Sequence, residues 1–63
     1  MKFIKERKDE FLEGKKIKYI AKEVGLTNVH LCNILNGKTS CKNTTAIFIS
    51  EYLNKDVNKY FKN

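Results

Sequence analysis

Three asparagines, whose side-chain amides are suited to specific hydrogen bonding, lie close together in the middle of the sequence: Asn28, Asn33 and Asn36. An asparagine amide carries both donors and an acceptor, so it can pair in a bidentate fashion with adenine. The neighbouring Val29 can touch a thymine methyl group. For such contacts to be made, these side chains must share one exposed face of a rigid element.

The apolar residues of the same stretch have the spacing of a buried helical face, which predicts a helix from residue 28 to about residue 36. Leu31, Ile34 and Leu35 form that inner face. Successive residues are rotated by about 100° around a helix, so the others point outward or to the flanks. The outward residues are Val29, Asn33 and Asn36, and the flanking ones are Asn28, His30 and Cys32.

A second amphipathic segment precedes this helix, and the two are separated by a turn centred on glycine. Its inner stripe has i, i+3, i+4, i+7 spacing and ends just before Gly25, which can leave a helix at positive φ. Thr27 can cap the next helix with its hydroxyl, and Leu26 can pack against Leu31 as a hydrophobic staple. The residues of the stripe are Ile17, Ile20, Ala21 and Val24.

Two short helices joined by a three-residue turn are typical of a helix-turn-helix, whose second helix enters the DNA major groove. The run IAKEVGLTNVHLCNILNGKTS, residues 20–40, resembles the helix-turn-helix of the phage repressor and Cro family, also called the xenobiotic-response-element type. The resemblance extends to a later helix over residues 45–53. It implies an all-α, lambda-repressor-like fold: a compact bundle of about five short helices forming one DNA-binding domain over residues 1–63. The matching positions are Ala21, Gly25, Leu31, Ile34 and Asn36-Gly37-Lys38.

The resemblance also places particular residues at base-contacting positions. Asn28, Val29 and Asn33 occupy those positions, with Thr27 at the start of the helix and Cys32 contributing in some members. We expect Asn33 to be the principal base contact. His30 could sense pH or touch DNA when protonated, although a lone flanking histidine is more often an exposed bystander. The alternative for the whole face is an ordinary polar surface.

Positive charge concentrates around the same motif. The formal net charge is +6, and residues 14–42 contribute five of these six charges because six lysines there oppose only Glu23. Such a concentration is typical of phosphate binding, whereas lysine runs by themselves are usually solvated faces. The predicted phosphate contacts lie at the start of the first helix of the motif and in the loop after the second: Lys16, Ile17, Lys18, Asn36, Lys38, Lys42 and Asn43.

The start of that first helix departs from the family pattern. The family often has a glutamine where this chain has Ile17, and the isoleucine side chain cannot contact phosphate. Backbone N–H groups of the first turn, helped by Lys16 or Lys18, are then expected to bind the same phosphate. Lys16 stands where a capping residue would normally be, which is locally unfavourable unless an anion binds there.

The flanking segments predict three more helices. The first candidate spans residues 3–13 and looks like a charged, solvated brace. A later helix spans residues 43 or 44 to 53, with Ala46, Ile49 and Leu53 inward and with Ile47 and Phe48 widening the apolar face. A last short helix begins at the cap Asp56. Aromatic and apolar residues near this end either close the core or form a dimer or partner interface: Phe48, Tyr52, Val57, Tyr60 and Phe61.

Other function classes find no support in the sequence. We see no convergent acids, no base for the serines and no glycine-rich phosphate loop, so no enzyme is expected and no catalytic residue is named. Cys32, Cys41 and one histidine fit no zinc spacing, so no metal or other cofactor is expected. The two cysteines could form a redox switch, but two reduced thiols are the expected state in the cytosol.

The prediction is therefore a transcriptional regulator, a Cro-like repressor that binds double-stranded DNA, with a palindromic operator and a weak homodimer as partners. No membrane is expected as a partner, because no apolar run is long enough to span a bilayer. No small-molecule ligand is predicted. The expected location is the cytoplasm of a prokaryotic or phage-infected cell. The alternative is a protein-binding module of the same fold, such as an antirepressor or inhibitor, that docks on a partner through Tyr52, Val57, Tyr60 and Phe61.

Overall fold

The computed structural model describes residues 1–63 and is mostly helical, with five α-helices and one small antiparallel sheet. No helix combines the length and the apolar character needed to cross a membrane. In chain order the elements are β1 (Lys2–Phe3), a 3₁₀ turn (Lys5–Arg7), α1 (Lys8–Leu12), α2 (Ile17–Val24), α3 (Asn28–Leu35), α4 (Asn43–Tyr52), α5 (Val57–Tyr60) and β2 (Phe61–Lys62).

The predicted signals around α2 and α3 are confirmed by the backbone. Gly25 ends α2 at φ 79°, and the following amide, Leu26 N–H, returns to the Ala21 carbonyl at 2.8 Å. The Thr27 hydroxyl accepts the N–H of His30 at 3.0 Å, which caps α3. A glycine exit and a threonine cap therefore fix the three-residue connection between the helices.

The later helices follow the sequence pattern with one exception. Ala46, Ile49 and Leu53 are buried as predicted. Ile47 and Phe48 do not extend this face, because rotations of about 100° and 200° from Ala46 carry them to the solvent side. The prediction that they widen the buried stripe is wrong.

At the N-terminus, the predicted helix over residues 3–13 is also wrong in extent. Phe3 lies in β1 and pairs with Phe61 of β2, and Ile4 is extended at φ −84° and ψ 96°. Regular α-helix begins only at Lys8, directly after the 3₁₀ turn. The predicted bundle of about five short helices is confirmed, and the small sheet adds to it by pairing the two ends of the chain in a two-stranded ladder.

This ladder completes an aromatic core of four rings. Phe3 meets Phe11 and Phe61 edge to face, with centroids 5.0 and 5.1 Å apart, and Tyr60 lies 4.9 Å from Phe11. Each such pair stabilises the fold by about 0.5–1.5 kcal/mol beyond the burial of its area. Beside the rings, the Tyr60 hydroxyl donates to Glu10 at 3.0 Å, and Glu10 also accepts from Arg7.

Candidate nucleic-acid interface

The outward face of α3 is open and its polar groups are largely unpaired. Val29 is 70% exposed, and Asn28 and His30 are exposed on either side of it. Asn33 is half-buried, and its side-chain amide, like that of Asn28, makes no hydrogen bond within the chain, whereas Asn36 does. These amides are therefore free to pair with an external ligand. Thr27 is exposed too, but its hydroxyl is already engaged as the cap.

Asn36 differs from its two neighbours on this face. Its side-chain oxygen accepts from Lys8 Nζ at 3.0 Å, and its Nδ2 donates to Cys32 Sγ at 3.3 Å. The backbone N–H of Asn36 is also used, since it donates to the Cys32 carbonyl at 3.0 Å. Asn36 therefore presents no free amide: its donors bond Cys32 within α3, and its side-chain oxygen ties the end of α3 to Lys8 of α1. Its contact with phosphate stays a prediction.

The starts of α2 and α4 share an unusual feature: both have a lysine at the N-cap and no side-chain cap. Lys16 precedes α2 and Lys42 precedes α4. The backbone N–H groups of Ile17 and Lys18 find no carbonyl partner, so the first turn of α2 presents free donors. Ile17 can offer an anion only its backbone N–H group, because its side chain packs against the core. In contrast, α3 and α5 are capped by Thr27 and Asp56.

The loop after α3 carries the two other lysines that we predict to contact phosphate. Lys38 and Lys42 are exposed, and so is Asn43, the first residue of α4. The loop is anchored to the N-terminus by two bonds, since the Cys41 N–H donates to the Met1 carbonyl at 2.8 Å and the Met1 amine donates to the Cys41 carbonyl at 2.7 Å. A fixed loop holds its lysines in a defined position relative to α3.

A cleft of about 560 Å³ lies between the starts of α3 and α4. His30 and Lys42 both line it, so the structure brings a predicted base contact and a predicted phosphate contact to one surface. Cys41 lines the same cleft as a free thiol, and burial raises its pKa above the usual value. A raised pKa lowers the thiolate fraction, which makes this cysteine less reactive. Cys32 is also a free thiol.

The predicted dimer or partner interface is divided by the structure. Phe48 and Tyr52 are 60% and 47% exposed and line a groove between α4 and the end of α2, with Glu23 and Glu51 at its rim. Tyr60 and Phe61 are buried in the aromatic core and cannot meet a partner, and Val57 packs against that core. For Val57, Tyr60 and Phe61, the alternative that these side chains close the core is therefore correct.

Two basic residues that we assigned to a solvated helix belong to the surroundings of α3. Lys8 bonds Asn36, and the Lys5 side chain lies against Gly37, where an added Cβ would meet it at 3.7 Å. No sequence signal could have found either contact, because about half of the chain separates the two partners in each case. No cluster of His, Cys, Asp or Glu side chains is arranged to hold a metal ion.

Comparison with known proteins adds no relative. No protein-family model, no curated protein and no solved structure matches this chain.

Proposed function

We propose that this chain binds double-stranded DNA as a helix-turn-helix regulator of the phage repressor and Cro type, with α3 in the major groove. One observation carries the proposal. The exposed face of α3 has unpaired amides, and both α2 and α4 have a lysine at the N-cap and no side-chain cap. Base edges require the first feature, and backbone phosphates require the second.

Phosphate binding at the two uncapped helices follows from electrostatics. The N-terminal turn of a helix carries a partial positive charge and unpaired N–H groups, so it binds anions. Lys16 and Lys18 at α2, and Lys42 at α4, add full positive charges there. Without an anion this arrangement is repulsive, which argues for a bound phosphate at each site.

Base contacts are assigned to the α3 side chains whose hydrogen bonds are unused. Asn28 and Asn33 can each pair with an adenine edge, and Val29 can contact a thymine methyl group. His30 lies at the edge of this face beside Lys42, where it contacts either a base or a phosphate. Asn36 is excluded from the set because its amide is occupied.

The experiment that tests DNA binding is a titration of random duplex at several salt concentrations. We expect log K to fall linearly with log salt, with a slope of about −0.9 for each phosphate neutralised. Charge reversal at Lys38 or Lys42 should flatten this slope and weaken binding to all DNA sequences alike. Lys59→Glu, on α5, is the matched control and should have a smaller effect. A wild-type protein without salt-sensitive affinity would refute the proposal.

For the regulator, we propose a weak two-fold dimer that places two copies of α3 in successive major grooves, about 34 Å apart. The exposed Phe48 and Tyr52 are the residues available for pairing. Selection from a random oligonucleotide pool should then recover inverted repeats, and sedimentation equilibrium should show two protomers on such a site. One protomer per site, without preference for inverted repeats, would rule out the dimer.

The same exposed groove supports a second candidate, a protein-binding module such as an antirepressor or inhibitor. Phe48 and Tyr52 are aromatic, and aromatic side chains are enriched at the centres of protein interfaces. Electrophoretic shift against random duplex separates the candidates, because a protein that binds only proteins shows no shift. In that case Phe48→Ala should abolish partner binding while Lys42→Glu leaves it intact.

A further inference from the structure

The small sheet contains a pair of like charges that its own structure does not neutralise. Lys2 and Lys62 lie directly opposite each other in the antiparallel ladder, on the side away from the buried pair Phe3 and Phe61. Side chains at opposed positions are about 5 Å apart at Cβ, so two ammonium groups there repel each other. None of the three ion pairs of the structure includes either lysine.

A polar cleft of about 250 Å³ lies beside this lysine pair. It is lined by three lysines, Lys2, Lys5 and Lys62, and by one acidic residue, Glu6. Phe3, Ile4 and Gly37 complete the lining. Three positive charges against one negative charge, in a concave site, focus a positive potential that favours an anion.

The position of the cleft links it to the proposed DNA surface. Gly37, which lines it, is the second residue after α3, and the next residue is the exposed Lys38. The hydrogen bonds between Met1 and Cys41 hold β1 against the same loop. A phosphodiester backbone that passes the loop after α3 therefore comes within reach of the strand lysines.

We propose that this cleft binds a phosphate group of the nucleic-acid backbone through Lys2, Lys5 and Lys62. The ligand group is a phosphodiester monoanion, whose non-bridging oxygens accept hydrogen bonds from the three ammonium groups. Bound phosphate removes the repulsion between Lys2 and Lys62 and extends the DNA contact beyond the helix-turn-helix. The DNA part of this inference rests on the proposed function.

The test uses the double variant Lys2→Gln/Lys62→Gln and measures the affinity for duplex DNA as a function of salt. Losing one phosphate contact should lower the magnitude of the slope by about 0.9 and weaken binding about eightfold near 0.1 M salt, equally for preferred and random sequences. The matched control is Lys22→Gln/Lys59→Gln, which removes the same charge from exposed residues outside the cleft. If Lys2→Gln/Lys62→Gln behaves like this control, the proposal that the cleft binds phosphate is wrong.

Glu6→Gln provides a change of the opposite sign. It removes the only carboxylate of the cleft, so DNA affinity should increase. An unchanged or weaker affinity would contradict the proposal. Thermal unfolding of each variant without DNA shows whether it is folded, and the double lysine variant should be no less stable than wild type, because a repulsive pair has been removed.

Inorganic phosphate separates this inference from DNA binding itself. Phosphate should raise the melting temperature of the wild type more than chloride at equal ionic strength. This difference should be smaller in Lys2→Gln/Lys62→Gln than in Lys22→Gln/Lys59→Gln, since both variants retain the starts of α2 and α4. If the wild type binds no DNA but its phosphate effect depends on Lys2 and Lys62 in this way, the cleft stands and the DNA proposal falls. If it binds DNA but the double lysine variant matches the control in both measurements, only the cleft falls.

Discussion

The face of α3 and the aromatic end of the molecule use their polar groups in opposite ways. Asn28 and Asn33 on α3 leave their amides unpaired. At the aromatic end, Arg7 donates to Glu10 and to the Lys59 carbonyl, and its guanidinium carbon lies 5.1 Å from the centre of the Tyr60 ring. Polar groups that are satisfied inside the chain stabilise the fold, whereas unpaired ones leave a surface ready for a ligand.

The two regions also differ in how their structure is encoded. Helices α2 and α3 are bounded by Gly25 and Thr27, which act on their immediate neighbours. The aromatic end depends on Phe3 meeting Phe61, residues at opposite ends of the chain. Substitutions at the aromatic end should therefore change stability, and substitutions on the α3 face should change DNA recognition.

The largest expected effect is the loss of the fold in Phe11→Ala. Phe11 is fully buried and contacts Phe3, Tyr60 and Phe61, so its removal leaves a cavity that should cost about 3–5 kcal/mol. A domain of this size has little stability in excess, and it should be largely unfolded by circular dichroism. Phe48→Ala is the matched control at a 60% exposed position and should stay near wild type. Equal losses in both variants would contradict the comparison.

Next in size is the loss of sequence recognition in Asn33→Ala. Removing a bidentate base contact should cost about 1–3 kcal/mol on the preferred site and much less on random DNA. Thermal stability should be maintained, since the Asn33 amide has no partner in the chain. Asn36→Ala should do the reverse and lower the melting temperature, because that amide bonds Lys8 and Cys32. Equal losses of Asn33→Ala on both DNAs would assign Asn33 to a backbone contact.

A smaller effect is expected at the helix starts, where capped and uncapped helices can be compared. Thr27→Ala removes the cap of α3 and should lower the free energy of unfolding by about 1 kcal/mol. Lys42→Ser supplies the missing cap of α4 and should raise stability while weakening DNA binding. Urea denaturation and DNA titration of both proteins measure the two quantities. Should Lys42→Ser bind DNA as tightly as wild type, Lys42 has no role in phosphate binding.

The smallest effect is a loss of stability in acid. The pKa of Glu10 is lowered, first by its hydrogen bond to Arg7 and then by the one from Tyr60, and the pKa of Glu13 is lowered by Lys55 at 3.0 Å. A lowered pKa means that the contribution is present above the ordinary value of 4.5 and is lost as the pH falls through the folded value. Urea denaturation over this pH range should show the loss.

Glu10→Gln and Glu13→Gln are the controls for this pH dependence, and each should reduce it. A second pH dependence is expected in alkali, because the pKa of Tyr60 is raised by burial and then by its hydrogen bond to Glu10. Stability should therefore also fall as the pH rises above the ordinary tyrosine value of 10.0. A stability that is flat in acid for the wild type would show that these ion pairs are fully screened by solvent.

The sequence by itself determined the middle and the later helices of this protein. Glycine at a positive φ, a threonine or aspartate cap, and apolar residues at helical spacing act within one or two turns, so they can be identified without the fold. Leu31, Ile34 and Leu35 are buried for this reason, and Asp56 caps α5 as predicted.

Only the tertiary structure decided what depends on distant neighbours. Two-residue strands carry no periodicity, so the pairing of Phe3 with Phe61 was invisible, and it converted the start of a predicted helix into a strand. A helical projection points Asn36 outward like Asn33, yet its amide bonds Cys32 and, from the distant α1, Lys8. Burial of Tyr60 and Phe61, rather than of Phe48, was likewise set by which rings the closed chain could bring together.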